Sequence, residues 1–362
     1  MTAQTVRKTS GAVSYKEQQA KWRKEVDSLK QRVLDRMDTI NTDAQLANVV
    51  LAALNHPHRS FRNAILIEDA HARAVEEGKV PQGPTTSVAT FKEWLKVGRR
   101  VRKGQHGYPI IQPVKASFWR DQEGNSHRIT RHHHAPDGAA TFTKVVSWRP
   151  NYVFDVSQTT GLEYTPTARP QLTAEGMDQP SNTRISQAMQ AILVTQYPGI
   201  MPAQTNQELV EQIAAYTTSL VLANPVTVYA TGEDGKSQQI PIPNNPTLDS
   251  VRAWAVAGAI CATLEIPNDT PWSNSPLPIP EMQGVERGKI VAALCENIHH
   301  TNITAVSHIT QKADIENPLL APRIKQYPLD TRQTDPVIAA TPSSQVLPHI
   351  PTPTEQPEGV GL

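Results

Sequence analysis

The chain has 362 residues, 38% of them hydrophobic, enough to bury a substantial core and to suggest two folded domains. Its net charge of +1 conceals a split: residues 1–150 hold 25 of the 35 Lys and Arg against 14 of the 34 Asp and Glu, so the halves carry +11 and −10, the footprint of a nucleic-acid-binding half joined to one of another kind. No apolar run reaches membrane-spanning length, the N-terminus lacks the apolar segment of a secretory signal, and Cys261 and Cys295 form no CxxC, so a cytoplasmic protein without structural disulfide or thiolate zinc is expected.

Residues 1–13 are expected to be disordered. From Ser14, the spacing of Trp22, Val26, Leu29, Val33 and Met37 predicts a long helix with one apolar stripe and cations on its other faces. Asn41 or Thr42 can cap a second helix that turns Leu46, Val49, Val50, Ala53 and Leu54 inward and stops at Asn55-His56-Pro57-His58. His56 and His58 flank a proline in a loop with no acidic partner, and read as polar loop residues rather than metal ligands. Ser60 caps a third helix with Ile65 and Leu66 in the core, while Arg62 and Asn63 lie near its positive N-terminal end, where a phosphate could sit.

After the loop 78–86, Phe91, Trp94, Leu95 and Val97 recur at helical spacing, and Gly98 ends that helix. Arg99, Arg100, Arg102 and Lys103 then crowd one turn between Gly98 and Gly104. Such a cluster repels itself unless an anion neutralises it, and the flanking glycines let a backbone come close to that anion. Alternation from Tyr108 through Ile110 and Ile111 to Trp119 predicts a strand, and Thr141 to Trp148 its antiparallel partner. The polar excursion between them carries His127 and the run His132-His133-His134, and reads as a solvated loop because adjacent histidines on an extended segment face opposite ways. Trp94 is expected in the core. Tyr108, Trp119, Trp148 and Tyr152 are either core or, interleaved with cations, platforms for single-stranded bases.

Three blocks occur in order: S-x-x-N-x-x-L-I from Ser60 to Ile67, F-x-x-W-x-x-x-G-R-x-V-x-K-G-x-x-G-x-x-I-x-x-P from Phe91 to Pro113, and V-F-D-x-x-Q-T-x-G from Val153 to Gly161. Together they resemble the single-stranded-DNA-binding N-terminal domain of ArdC-type antirestriction proteins, over residues 14–162. The chain departs from that pattern in a longer loop at 78–86, in Tyr108 where a small or aliphatic residue is usual, and in Gln105 where Glu is common. The resemblance implies sequence-independent binding of single-stranded DNA and protection of the incoming DNA of a phage, plasmid or other mobile element. The candidate contacts are Arg99, Arg100, Arg102 and Lys103, with Lys96, Arg62, Asn63, Tyr108 and Gln158 beside them and Gly98, Gly104 and Gly107 shaping the loop.

Residues 163–183 read as a linker. Helical periods at 184–197, 206–222, 248–264 and 285–309, with a hairpin of Val226–Tyr229 and the segment around Ile240, predict a mostly helical second domain over 184–312. From Asp314 the chain holds nine prolines, and 313–362 is expected to be a disordered tail. The fold class is α+β. In the ArdC-type family the second half is commonly metallopeptidase-like with an H-E-x-x-H helix, but none occurs here. Gln212 stands where a carboxylate ligand would align, and Glu296, His299, His300 and His308 are the other candidates, with an ion pair the plainer role for Glu296. No catalytic residue, metal or cofactor is assigned. The leading reading is a single-stranded-DNA-binding protein, the alternatives being a metallopeptidase-like or nucleic-acid-processing enzyme, and a DNA-anchored scaffold whose acidic half recruits a protein partner.

Overall fold

The computed structural model describes residues 15–85, 87–164, 180–231, 237–268 and 274–320. The chain opens with α1 (Tyr15–Asp38), α2 (Asp43–Leu54) and α3 (Phe61–Glu76). The stripe on α1 is buried at Val26, Leu29, Val33 and Met37, and Trp22 is half-buried. Thr42 and Gln45 form a reciprocal capping box at the start of α2, and the Ser60 hydroxyl accepts from the Asn63 N–H at the start of α3. All five residues expected inside on α2 are buried, as are Ile65 and Leu66.

Next come β1 (Val88–Ala89), α4 (Phe91–Lys96), β2 (Arg99–Val101), β3 (Tyr108–Arg120), β4 (Ser126–Arg128), β5 (Thr141–Asp155), a 3-10 turn at Val156–Gln158, and β6 (Thr159–Gly161). A four-stranded antiparallel sheet runs β1-β5-β3-β4, and β2 pairs with β6 in a separate ribbon. The predicted strand pair is β3–β5, in register from Tyr108 opposite Val153 to Trp119 opposite Thr141, with a bulge beside Val114 and Lys115. Its first part packs on α3, where Ile67, Val88, Tyr108, Ile110 and Val153 share a core. Beyond that the ribbon continues as an arm: no residue from 112 to 149 is buried.

The remaining elements are α5 (Pro180–Leu193), α6 (Asn206–Ala223), the hairpin β7 (Thr227–Thr231) and β8 (Ser237–Pro241), α7 (Pro246–Thr263), α8 (Arg287–Ala313), and a 3-10 turn at Pro318–Leu320. The fold is α+β, with helices and a small antiparallel sheet first and a mostly helical second half. Helices of both halves meet in one apolar core: Met37, Leu46, Leu54 and Leu66 belong to the same cluster as Met189, Ile213, Ile260 and Ile298. Arg287 at the start of α8 donates to the carbonyls of Asp38, at 2.8 Å, and Ile40, where α1 ends. Gly288 lies so close to α1 that a Cβ there would sit 2.6 Å from the Leu34 carbonyl oxygen.

Most of the expected linker, and the tail from residue 321, lie outside the described residues, as do residues 1–14. Residues 313–320, expected to begin the tail, instead carry the end of α8 and a turn whose Leu319 is buried. Among the described residues no helix is long and apolar enough to cross a membrane.

Candidate nucleic-acid interface

The basic turn is held from below by the third sequence block. Thr90 and Glu93 cap α4 reciprocally, and the helix drops Trp94 into the core, fully buried, its indole N–H donating to the Phe154 carbonyl at 2.8 Å. Gly98 (φ +74°) breaks the helix in the left-handed region that L residues resist, and the chain enters β2. Opposite it, Gly161 presses its backbone onto Gly98, leaving no room for a Cβ, which would lie 2.3 Å from the Gly98 oxygen. Gly107 answers a similar demand, since a Cβ there would be 2.8 Å from the Tyr152 Cβ.

Asp155 caps the 3-10 turn by accepting from the Ser157 N–H at 2.9 Å. Gln158, buried, accepts from the Asp155 N–H at 2.9 Å while its amide nitrogen donates to the His106 carbonyl at 2.8 Å and the Gln105 side chain at 3.2 Å. Its backbone carbonyl accepts from the Arg102 N–H at 3.0 Å. The glutamine is thus a staple beneath the basic loop.

That geometry divides the cations. The Arg99 guanidinium donates to the Thr159 hydroxyl at 2.8 Å, to the Thr159 carbonyl at 3.3 Å and to the Leu162 carbonyl, so it ties β2 to β6. Arg100, Lys103 and Lys96 are exposed and have no hydrogen-bond or ion-pair partner among the described residues. Arg102, also exposed, donates once, to the Ser157 carbonyl. Beside the loop, the last turn of α3 forms one wall of an open cleft of about 260 Å3, lined by Arg73, Lys79, Gln105 and His106 among others. Lys79 is paired with Glu77, which lines the same cleft, at 2.5 Å, so Arg73 and His106 are the candidates that sequence reasoning missed. They lie far apart in the chain, and the packing of α3 against the loop brings them together.

Besides Arg99, four expected contacts are engaged inside the fold. Tyr108 is 3% exposed. The His71 Nε2 donates to the Gly83 carbonyl at 2.8 Å, and its Nδ1 meets the Tyr108 hydroxyl at 2.9 Å. Burial raises the Tyr108 pKa, with Asp155 and Glu68 adding to it, and the ring is core rather than a base platform. Gln158 is equally inaccessible. Arg62 pairs with Glu296 of α8, including a 3.2 Å bond to Oε2. Asn63 brackets the Ile111 backbone, its amide donating to the carbonyl at 2.9 Å and its oxygen accepting from the N–H at 2.8 Å. It thereby covers an edge of β3 where no neighbouring strand lies. Arg62 and Asn63 line a different cleft, of about 480 Å3, at the opposite end of α3 from the basic turn.

Phe91 and Leu95, expected on the apolar face of α4, are 49% and 44% exposed. A helix of six residues buries one line of side chains, here Trp94 with Val97 just beyond it. His56, read as a loop residue without an acidic partner, is buried with its Nε2 2.7 Å from Glu68, whose carboxylate also accepts from the Thr85 hydroxyl at 2.7 Å. The candidate metal set in α8 is dispersed: Glu296 faces Arg62, His299 is buried near Phe61, His300 is exposed, and the His308 Nδ1 meets the Tyr216 hydroxyl at 2.7 Å. Among the described residues no three His, Cys, Asp or Glu side chains gather to hold a metal ion.

Residues 14–147 match the family model described as the N-terminal domain of anti-restriction factor ArdC. The metal-free crystal structure of the antirestriction ArdC protein from plasmid R388 aligns with 71% of this chain and 86% of that one, at 14% identity and a TM-score of 0.32. No curated protein matches the chain.

Proposed function

Because residues 14–147 carry an ArdC-type N-terminal domain, we propose that the protein binds single-stranded DNA without reading its sequence, in the service of antirestriction for a plasmid, phage or other mobile element. The observation that carries this reading is the group of exposed, unengaged cations, Arg100, Lys103 and Lys96, set with Arg102 on a turn whose backbone the Gln158 staple fixes. Like charges held together on a rigid frame gain from a polyanion that neutralises them. Phe91, exposed at the start of α4, is an aromatic side chain open to a base, the stacking role that burial denies to Tyr108. The six-residue α4 beside the turn is too short to read a duplex groove as a recognition helix does, which favours single strands. Arg73 and His106 extend the phosphate path into the neighbouring cleft.

The test is binding of the full chain to single-stranded and duplex oligonucleotides over a salt series, with an Arg100→Ala/Lys103→Ala variant beside it. The variant should bind every sequence more weakly, and its log K against log salt slope should fall by roughly 1.4, about 0.7 for each lost phosphate contact. Its melting temperature should not change, since neither side chain has a partner among the described residues. Equal affinity for both DNA forms, or an unchanged slope, would remove the basic turn from the interface.

A further inference from the structure

The arm formed by the outer halves of β3 and β5 with β4 has no packing role that accounts for its composition. Strand alternation places Ala116, Phe118 and Arg120 on one face of β3. Their cross-strand neighbours Lys144, Phe142 and, from β4, Arg128 share it, Lys144 opposite Ala116 and Phe118 opposite both Phe142 and Arg128. Phe118 and Phe142 stack with ring centroids 5.9 Å apart, and the Arg120 and Lys144 cations lie 5.4 and 5.6 Å from the Phe142 centroid. Both rings are half-buried while Arg120, Arg128 and Lys144 are exposed, and none of the three has an ion-pair partner among the described residues. Among the described residues of these strands no carboxylate shares that face. Asp121, next in sequence to Arg120, is occupied within its own turn by His127 at 2.7 Å and by the Asn125 and Glu123 N–H groups.

A narrow ribbon of two to three strands is marginally stable alone, and a few aromatic and cation–π contacts suffice to order it. Stability does not require three cations and no anion on one face. We propose that this face is a second track for single-stranded nucleic acid, with Phe118 and Phe142 offering a stacking platform and Arg120, Arg128 and Lys144 neutralising phosphates. The assignment rests on the DNA-binding reading above and extends it from one turn to a path continued by the arm. Charge complementarity selects the occupant: an acidic protein segment would match the cations but not the flat aromatic pair, whereas a base and its phosphate match both.

The experiment compares three full-length proteins, wild type, Arg120→Ala/Arg128→Ala/Lys144→Ala and Phe118→Leu/Phe142→Leu, on oligothymidylates of about 6 and about 25 nucleotides across a salt series. The charge variant should lose affinity for the long oligomer with its slope reduced by roughly 2, at about 0.7 per contact, and keep wild-type binding of the short one at the basic turn. The leucine variant should weaken long-oligomer binding at least about fivefold with the slope unchanged, because stacking releases no counterions. Far-ultraviolet circular dichroism and melting of each variant report whether the ribbon persists. If wild type binds DNA and both variants, still folded, bind the long oligomer as it does, the arm proposal falls and the basic turn stands. An acidic peptide binding the arm more tightly than the oligomer would also overturn it. If wild type binds neither oligomer, the DNA-binding reading fails and takes the arm with it.

Discussion

Arg99 and Arg100 are adjacent, equally charged, and opposite in role. Sequence made them two members of one cationic cluster, but they stand on a strand, and successive side chains of a strand point to opposite faces. Arg99 turns toward Thr159 and Leu162, Arg100 toward solvent. Arg99→Ala should therefore destabilise the protein by about 1–3 kcal/mol, the cost of leaving bonded acceptors without a charged donor, and leave the salt slope of DNA binding intact. Denaturant midpoints and binding slopes on the one variant separate the two effects, and a lower slope with unchanged stability would return Arg99 to the DNA surface. A second residue-scale consequence comes from His299, buried on α8, whose pKa burial pushes down to about 4, with His300 lowering it further and the Arg59 backbone opposing. Above about pH 6.5 the ring is neutral in folded and unfolded chains alike. As pH falls from there to about 4, only the unfolded chain takes up the proton, so stability should drop by about 3 kcal/mol over that window. A His299→Leu variant should show a flatter stability profile between those pH values, and a profile as steep as wild type would assign the acid sensitivity to other groups.

Elements with a long period were legible, and short ones were not. The apolar stripe of α1, the capped starts of α2 and α3 and the alternation of β3 against β5 each repeat often enough to read. The strands β1, β2 and β6 span two or three residues, too few for any alternation: β1 exists by pairing with the end of β5, and β2 and β6 because Arg99 and the Gly98–Gly161 contact hold them together. Asn63 and Gln158, motif residues whose place in the pattern suggests ligand contacts, complete backbone hydrogen bonding that the sheet leaves open. A sequence pattern records that a residue type is required, and structural and ligand-binding demands for an amide look alike until the partners are seen. Gly288 presents the same difficulty: inside a helix it reads as a weak point costing about 1 kcal/mol against alanine. Here it admits the α1 backbone, and a Cβ 2.6 Å from the Leu34 carbonyl would force two packed helices apart. Overpacking of this kind costs about 1–3 kcal/mol, so Gly288→Ala should be net destabilising despite the better helix propensity. A raised urea midpoint for that variant would show that the crossing yields.

For the molecule as a whole, charge and packing divide the chain differently. The basic half and the acidic half invite a cut at the 163–183 segment, and composition offers no reason to place it elsewhere. Hydrophobic periodicity shows which face of a helix is buried but not which helix covers it, so the sequence left open that α8 lies along α1 and that α7 and α8 close over α2. Residues Val33, Met37, Leu46 and Val50 are almost fully buried in a cluster shared with Val256, Ile260, Ile298 and Val306. Each such side chain, if uncovered, forfeits roughly 1.5–3 kcal/mol of burial. A handful of them sums to about 6–15 kcal/mol, as much as the 5–15 kcal/mol that holds an ordinary domain folded. A fragment ending at residue 164 should consequently unfold without a sharp transition and bind an apolar dye, while the full chain should melt in one cooperative step. Should the fragment melt as sharply as the full chain, the two halves are independent and the shared cluster is a docking contact. A single cooperative step would mean that the acidic half supports the proposed DNA-binding surface by completing its core, and the Arg62–Glu296 pair is one of the places where the two charge classes meet across it.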